Sequence, residues 1–94
     1  MDDLKEILEK ATNYHWEMVE SSNIVGYTYD KFNNTLYIAF KKNKSGYIPI
    51  YGYSNVPMSD VKSLHQSDSK GKWVNDHLVK PHREFTKYEL ELIK

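Results

Sequence analysis

Apolar and polar positions alternate in three stretches of this chain and recur at helical spacing in three others. At the start, Leu4, Ile7, Leu8 and Ala11 fall on one side of a helix and Lys5, Glu6, Glu9 and Lys10 on the other. Asp2 or Asp3 is placed to cap it. The apolar stripe of this amphipathic helix must cover something, either the sheet of its own chain or a neighbouring subunit. Asn23 to Asp30, Thr35 to Lys41 and Tyr47 to Tyr53 are rich in Tyr, Ile, Val and Phe and predict strands. A further short strand fits Glu17 to Glu20. Phe32-Asn33-Asn34 and Lys42 to Gly46 are turns short enough to make an antiparallel meander. Pro57 starts a helix with Met58, Val61 and Leu64 on its buried side and His65 beside them. Ser67 to Gly71 interrupts it. A second helix begins near Lys72, presents Trp73, Val74, His77 and Leu78, and stops at Pro81, which cannot continue the hydrogen-bond ladder. The segment Thr86 to Lys94, with Leu90 and Ile93, is read as a tail helix.

Parity sharpens the picture. Leu36, Ile38 and Phe40 share one face of their strand, as do Ile48 and Ile50 on the next. Tyr27, Tyr29, Tyr37, Tyr47, Tyr51 and Tyr53 all fall on odd positions. Side chains alternate faces along a strand. If the registers match, the sheet has one aliphatic face for helices and one face of tyrosine rings and hydroxyls.

Composition bounds the function classes. The chain has 94 residues, enough for one small domain, with 39% hydrophobic and 28% charged residues, as in ordinary folded proteins. It has no cysteine, which excludes disulfides, thiolate zinc sites and a Cys nucleophile. No apolar run reaches membrane-spanning length and nothing resembles a signal peptide, so the expected location is the cytoplasm. Net charge is zero but uneven: residues 1–30 carry seven acids against two bases, and residues 31–94 eleven bases against six acids. A chain that neutralises many phosphates needs a larger basic excess. The balance leaves room for a small anion held by a few residues.

The order of these features resembles the KTSC domain family. The resemblance runs from Ser21 to about His82. It rests on Ser21 or Ser22, on Tyr29-Asp30 ending a strand, on the alternation Leu36 to Phe40, and on Gly46. It continues through Tyr51 and Tyr53, Val56-Pro57, then Ser69, Gly71, Trp73 and Asn75. Two features depart from the pattern: His82 stands where the family usually has an aromatic residue, and the loop Lys41 to Gly46 is longer. The resemblance implies a small α+β domain, placed over residues 16–85; residues 1–15 and 86–94 lie outside the match and are read from their own pattern as N-terminal and tail helices. The sheet would be a three- to four-stranded antiparallel meander with helices packed on one face. The family is named for its occurrence at the C-terminus of some lysyl-tRNA synthetases, which implies RNA. It also occurs as stand-alone bacterial and phage proteins, which implies capture of a host component or signal.

Three groups of residues carry candidate chemistry. Tyr27, Tyr37, Tyr51 and Tyr53 could stack on a base, or simply cover the sheet. Ser69-Lys70-Gly71-Lys72 could receive a phosphate, with two lysines adding charge. It lacks the first glycine and the spacing of a Walker A loop, and Ser69 serves equally as a helix cap. His77 and His82 are five apart, not the four of a helical metal pair, so no metal and no cofactor is expected. Arg83 could grip a phosphate or pair with Glu84 or Asp76. Trp73, Asn75 and Ser21 match family positions and are pocket or packing residues.

No nucleophile–base arrangement is specified, so the expected protein is a non-catalytic binder rather than an enzyme. The first reading is capture of a small nucleotide-like anion: tyrosines on the base, and Ser69, Lys70, Lys72, His82 or Arg83 near phosphate. A phage-encoded sponge for a host immune nucleotide is its extension by analogy. A homo-oligomer would complete so small a site, using the stripe of the first helix. The other readings are an RNA-binding module and a protein-interaction domain.

Overall fold

The computed structural model describes residues 3–91. The elements run α1 (Asp3–Thr12), β1 (Glu17–Met18), β2 (Ile24–Asp30), β3 (Thr35–Phe40), β4 (Tyr47–Tyr53), α2 (Met58–Gln66), α3 (Lys70–Val74), which continues as a π-helical turn over Asn75–Val79, and β5 (Thr86–Glu91). The strands form one antiparallel sheet in sequence order. This is the expected α+β meander with five strands. The tail read as a helix is β5: Thr86, Tyr88 and Leu90 alternate with Lys87, Glu89 and Glu91, the period of a strand, and β4 supplies the partner. Positions 92–94 of that expectation, including Ile93, lie outside the described residues, as does the cap expected from Asp2.

Two cores form, one on each face of the sheet. On one face Ile24, Tyr27, Leu36, Ile38 and Tyr53 pack under Val56, Leu64, Trp73, Val74 and Leu78 from α2 and α3. On the other, Val25, Ala39, Ile48 and Ile50 pack with Leu8 of α1 and with Trp16. The stripe of α1 meets its own sheet through Leu8, fully buried, and Leu4 beside it, while Ile7 is half-buried and Ala11 exposed.

The tyrosine face does not exist as such. Tyr27 opposes Ile38, Tyr29 opposes Leu36 and Ile38 opposes Tyr51, so odd positions of β2 and β4 share a face with even positions of β3. Tyr37 falls on the opposite face, across from Gly52. A Cβ on Gly52 would sit 2.8 Å from the Tyr37 ring, so the glycine makes room for that ring.

Local chemistry fixes the connections. Pro57, extended, precedes α2. Met58, expected on the buried side of α2, is exposed, and so is His65, whose ring reaches the Tyr27 hydroxyl of β2. The next helix starts at Lys70 rather than Lys72, because Ser69 caps it by accepting from the Lys72 N–H at 3.3 Å. It ends at Val79. The His82 N–H bonds back to Val79 O at 3.0 Å and the Arg83 N–H to Leu78 O at 3.2 Å, with His82 left-handed at φ 58°. That pair of bonds is a Schellman close, a position where glycine is usual.

Asp30 organises the turn between β2 and β3. It accepts from the Phe32 N–H at 3.0 Å, the Asn33 N–H at 3.3 Å, the Asn33 side-chain amide at 2.7 Å and the Tyr14 hydroxyl at 3.1 Å. Its carboxyl is held below the usual range, chiefly by the Asn33 amide and further by the Phe32 N–H and the Tyr14 hydroxyl, against the opposing effect of burial. A carboxyl with a depressed folded value stabilises fully above its unfolded value, about 3.9. That contribution is lost as pH falls through the folded value. Urea titrations across acid pH are expected to show Asp30→Asn less stable than the parent at neutral pH, with the gap closing on acidification. A constant gap would contradict this role.

Candidate functional site

Two segments far apart in sequence meet beside the start of α3. Ser21 folds the chain entering β2: its Oγ accepts from the Asn23 N–H at 3.2 Å and the Ile24 N–H at 3.4 Å, and donates to Asn23 Oδ1 at 2.6 Å. Asn23 then donates from Nδ2 to the Gly71 carbonyl at 3.5 Å. Gly71 is buried, and a Cβ there would overlap Asn23 Oδ1 and Ser21 Oγ. The glycine is needed for this close approach.

Between the segments lies an open cleft of about 780 Å³. Ser21, Ser22 and Asn23 line it from one segment and Ser69, Lys70, Lys72 and Asn75 from the other, with Met18 and Val19 also in the lining. Lys70 donates to the Ser67 carbonyl at 3.0 Å. Lys72 donates to Asp76 at 3.0 Å, and Lys80 approaches the same carboxylate at 3.4 Å. The Asp76 carboxyl is held below its usual range, chiefly by the hydrogen bond from Lys72. Glu20 and Asp68 share the lining with Lys70 and Lys72, so the charges balance. Such a lining suits a strongly polar ligand with limited negative charge, and opposes a polyanion.

The structure brings Ser69, Lys70, Lys72 and Asn75 together and places the other expected residues elsewhere. Tyr27 is buried, its hydroxyl 2.8 Å from His65 Nδ1. Tyr37 sits on the α1 side between Tyr14 and Tyr88, with ring centroids 5.4 and 6.4 Å away. Tyr51 lies flat against Phe85, centroids 4.1 Å apart. Tyr53 is buried beside them; its phenol is pushed up to about 12, first by burial and then by Tyr51. Trp73 is a core residue that donates from Nε1 to Ser63 Oγ at 3.0 Å and stacks on His77. His82 is exposed at the helix close, and Arg83 points to the Ser54 and Asn55 carbonyls, each at 3.5 Å, rather than to Glu84 or Asp76.

No tyrosine of the expected set lines the cleft, so the stacking half of the expected site is separated from its polar half. Sequence reasoning missed Asn23, Glu20 and Asp68, and offered Ser22 only as an alternative to Ser21. The polar run Ser21-Ser22-Asn23 before a strand was a turn signal. Nothing in it named Gly71 as the contact.

The architecture is a small antiparallel sheet between helical layers, with a polar cleft where the chain entering β2 meets α3. A KTSC domain family model matches residues 20–81, about two thirds of the chain, and the chain belongs to that family. The crystal structure of a KTSC domain protein from Yersinia pestis is similar, with a TM-score of 0.59 and 27% identity. The match covers 80% of this chain and 94% of that one. No curated protein matches the chain.

Several family positions now have physical roles. The Tyr29 hydroxyl donates to the Val56 carbonyl at 2.6 Å, which ties β2 to the Val-Pro step. Asp30 holds the following turn. Ser21 and Gly71 make the junction at the cleft. Phe85, three residues beyond His82, supplies an aromatic ring on Tyr51.

Proposed function

We propose that the protein is a non-catalytic binding protein that holds a small, strongly polar ligand in the cleft between Ser21–Asn23 and Ser69–Asn75. The observation that carries this reading is the convergence of polar side chains from two distant segments on one open cleft of about 780 Å³. The hydroxyls of Ser21 and Ser69 accept backbone N–H groups, which supports a scaffold role for them. Asn75, and Lys70 through the ammonium donors it does not give to the Ser67 carbonyl, can meet a ligand, and Lys72 can exchange Asp76 for an anionic group.

A ligand of nucleotide class would place its sugar and one phosphate among the polar side chains, leaving Met18 and Val19 as the apolar lining for its base. A copy that binds without turning its ligand over acts by sequestration.

Native mass spectrometry of the protein from a bacterial host, followed by heat release, tests this directly. The expected result is a small molecule in fixed ratio to the chain. Lys70→Ala with Asn75→Ala is expected to weaken its rebinding about tenfold or more, the worth of one or two hydrogen bonds. Rebinding that ignores both substitutions would move the site elsewhere. Salt-dependent RNA binding by an otherwise empty protein would replace the reading altogether.

A further inference from the structure

β5 is an outer strand of the sheet. Among the described residues it pairs only with β4, and the opposite edge is closed by the two-residue β1. Five of its six residues are exposed. An open edge of this length is a template for another strand unless its side chains forbid pairing. Here they select one partner.

Lys87, Glu89 and Glu91 project on one face of β5 and Tyr88 and Leu90 on the other. Lys87 and Glu89 lie 3.5 Å apart along the strand, both about half exposed. A two-fold axis normal to the sheet pairs β5 only with itself in antiparallel sense, about a residue at the centre. Centred on Glu89, Lys87 opposes Glu91 of the second copy, but two Glu89 carboxylates meet on the axis itself. Centred on Lys87, two lysines meet. Centred on Tyr88, Lys87 opposes Glu89 of the second copy and Glu89 opposes Lys87, while Thr86 opposes Leu90. Opposite charges directly across a pair stabilise and like charges destabilise, so the Tyr88 centre is favoured as the one that gives opposite-charge pairs with no like-charge pair on the axis.

The apolar side agrees with that centre. Tyr88 is 51% exposed and borders a groove of about 280 Å³ lined by Tyr14, Tyr37, Ile50 and Leu90. With Tyr88 on the axis, the two rings meet as a cross-strand aromatic pair and the grooves of both copies adjoin.

We propose that the protein forms a homodimer by antiparallel pairing of β5 with β5 of a second copy, in the register centred on Tyr88. The sheet then runs unbroken through both chains. This use of the edge belongs to a segment beyond residues 20–81, the stretch matched by the family model.

Sedimentation of the full chain over rising concentration, at low salt, tests it. The expected product is a dimer with micromolar affinity, since two short edge strands make an interface below the usual ~1,200 Å². Lys87→Glu sets carboxylates against each other and is expected to weaken dimerisation at least tenfold, as is Glu89→Lys. The double variant Lys87→Glu with Glu89→Lys restores the opposite-charge pairs and is expected to restore the dimer. Circular dichroism and the melting temperature of the dilute monomer should stay unchanged throughout, because both side chains are at the surface, while at dimer-forming concentration the parent melts higher by mass action. A chain that stays monomeric at millimolar concentration overturns the proposal. So does a dimer that ignores Lys87→Glu, or one that the double variant fails to recover.

Discussion

Trp16→Ala is expected to lower folding stability by about 3–5 kcal/mol, the range for truncating a buried tryptophan. Trp16 is 1% exposed and fills the core on the α1 side of the sheet with Leu8, Val25, Ile48 and Ile50. It also closes a local network. Its indole N–H donates to Thr12 Oγ1 at 2.9 Å, and its backbone N–H donates to Glu9 at 3.1 Å. Thr12 Oγ1 accepts the Tyr14 N–H as well and donates to the Leu8 carbonyl at 2.7 Å. Removing the ring therefore opens a cavity and releases the end of α1 from the sheet. Domains carry roughly 0.05–0.15 kcal/mol of stability per residue, so the loss is a large fraction of the total for a chain of this size. Urea unfolding gives the magnitude, and hydrogen exchange of α1 amides gives the mechanism. Trp16→Phe keeps most of the volume and should retain much of the stability. A loss below about 1 kcal/mol for the alanine variant would mean that α1 does not dock as described.

The strands were legible because period-two alternation survives whatever surrounds it. β2, β3 and β4 fall within a residue of the boundaries that alternation implies. The pairing of faces was not legible. Parity describes one strand at a time, whereas the register between strands is set by turn geometry. The turns here join odd positions to even ones. The tyrosines of β2 and β4 thereby came to lie with the aliphatic residues of β3 under α2 and α3, and Tyr37 came to lie with α1. Tyr14 and Trp16 escaped notice for a related reason. They follow α1 in a short irregular segment, where no periodicity marks a core residue. The tail misled because Leu90 and Ile93 are three apart, a helical interval, while the alternation of Thr86 to Glu91 carried the stronger signal. For the cleft, Ser69, Gly71 and Asn75 could be read as one turn and one helix face. Their opposing wall, Ser21 to Asn23, is joined to them only by tertiary contact.

That contact makes Gly71→Ala the variant on which fold and function can be separated. Gly71 lacks a positive φ, so its role is space and not backbone freedom. The added methyl would overlap Asn23 Oδ1 and Ser21 Oγ. Both are ends of side chains, but neither is free to swing. Ser21 accepts two backbone N–H groups and donates to Asn23, and Asn23 donates to the Gly71 carbonyl. Accommodation must break part of this set and part the walls of the cleft. Overpacking of this kind costs about 1–3 kcal/mol. The expected result is that loss in urea unfolding, together with at least a tenfold loss of affinity for the molecule released from the parent protein. In a double-mutant cycle, Asn23→Ala should recover part of the stability in the Gly71→Ala background while lowering it in the parent, since it removes one of the two clashing atoms. Neutral stability would refute the close packing of Gly71 against Ser21 and Asn23. Reduced stability with unchanged affinity would leave the fold intact as described and sink the cleft as the binding site, because the walls would have moved without the ligand noticing.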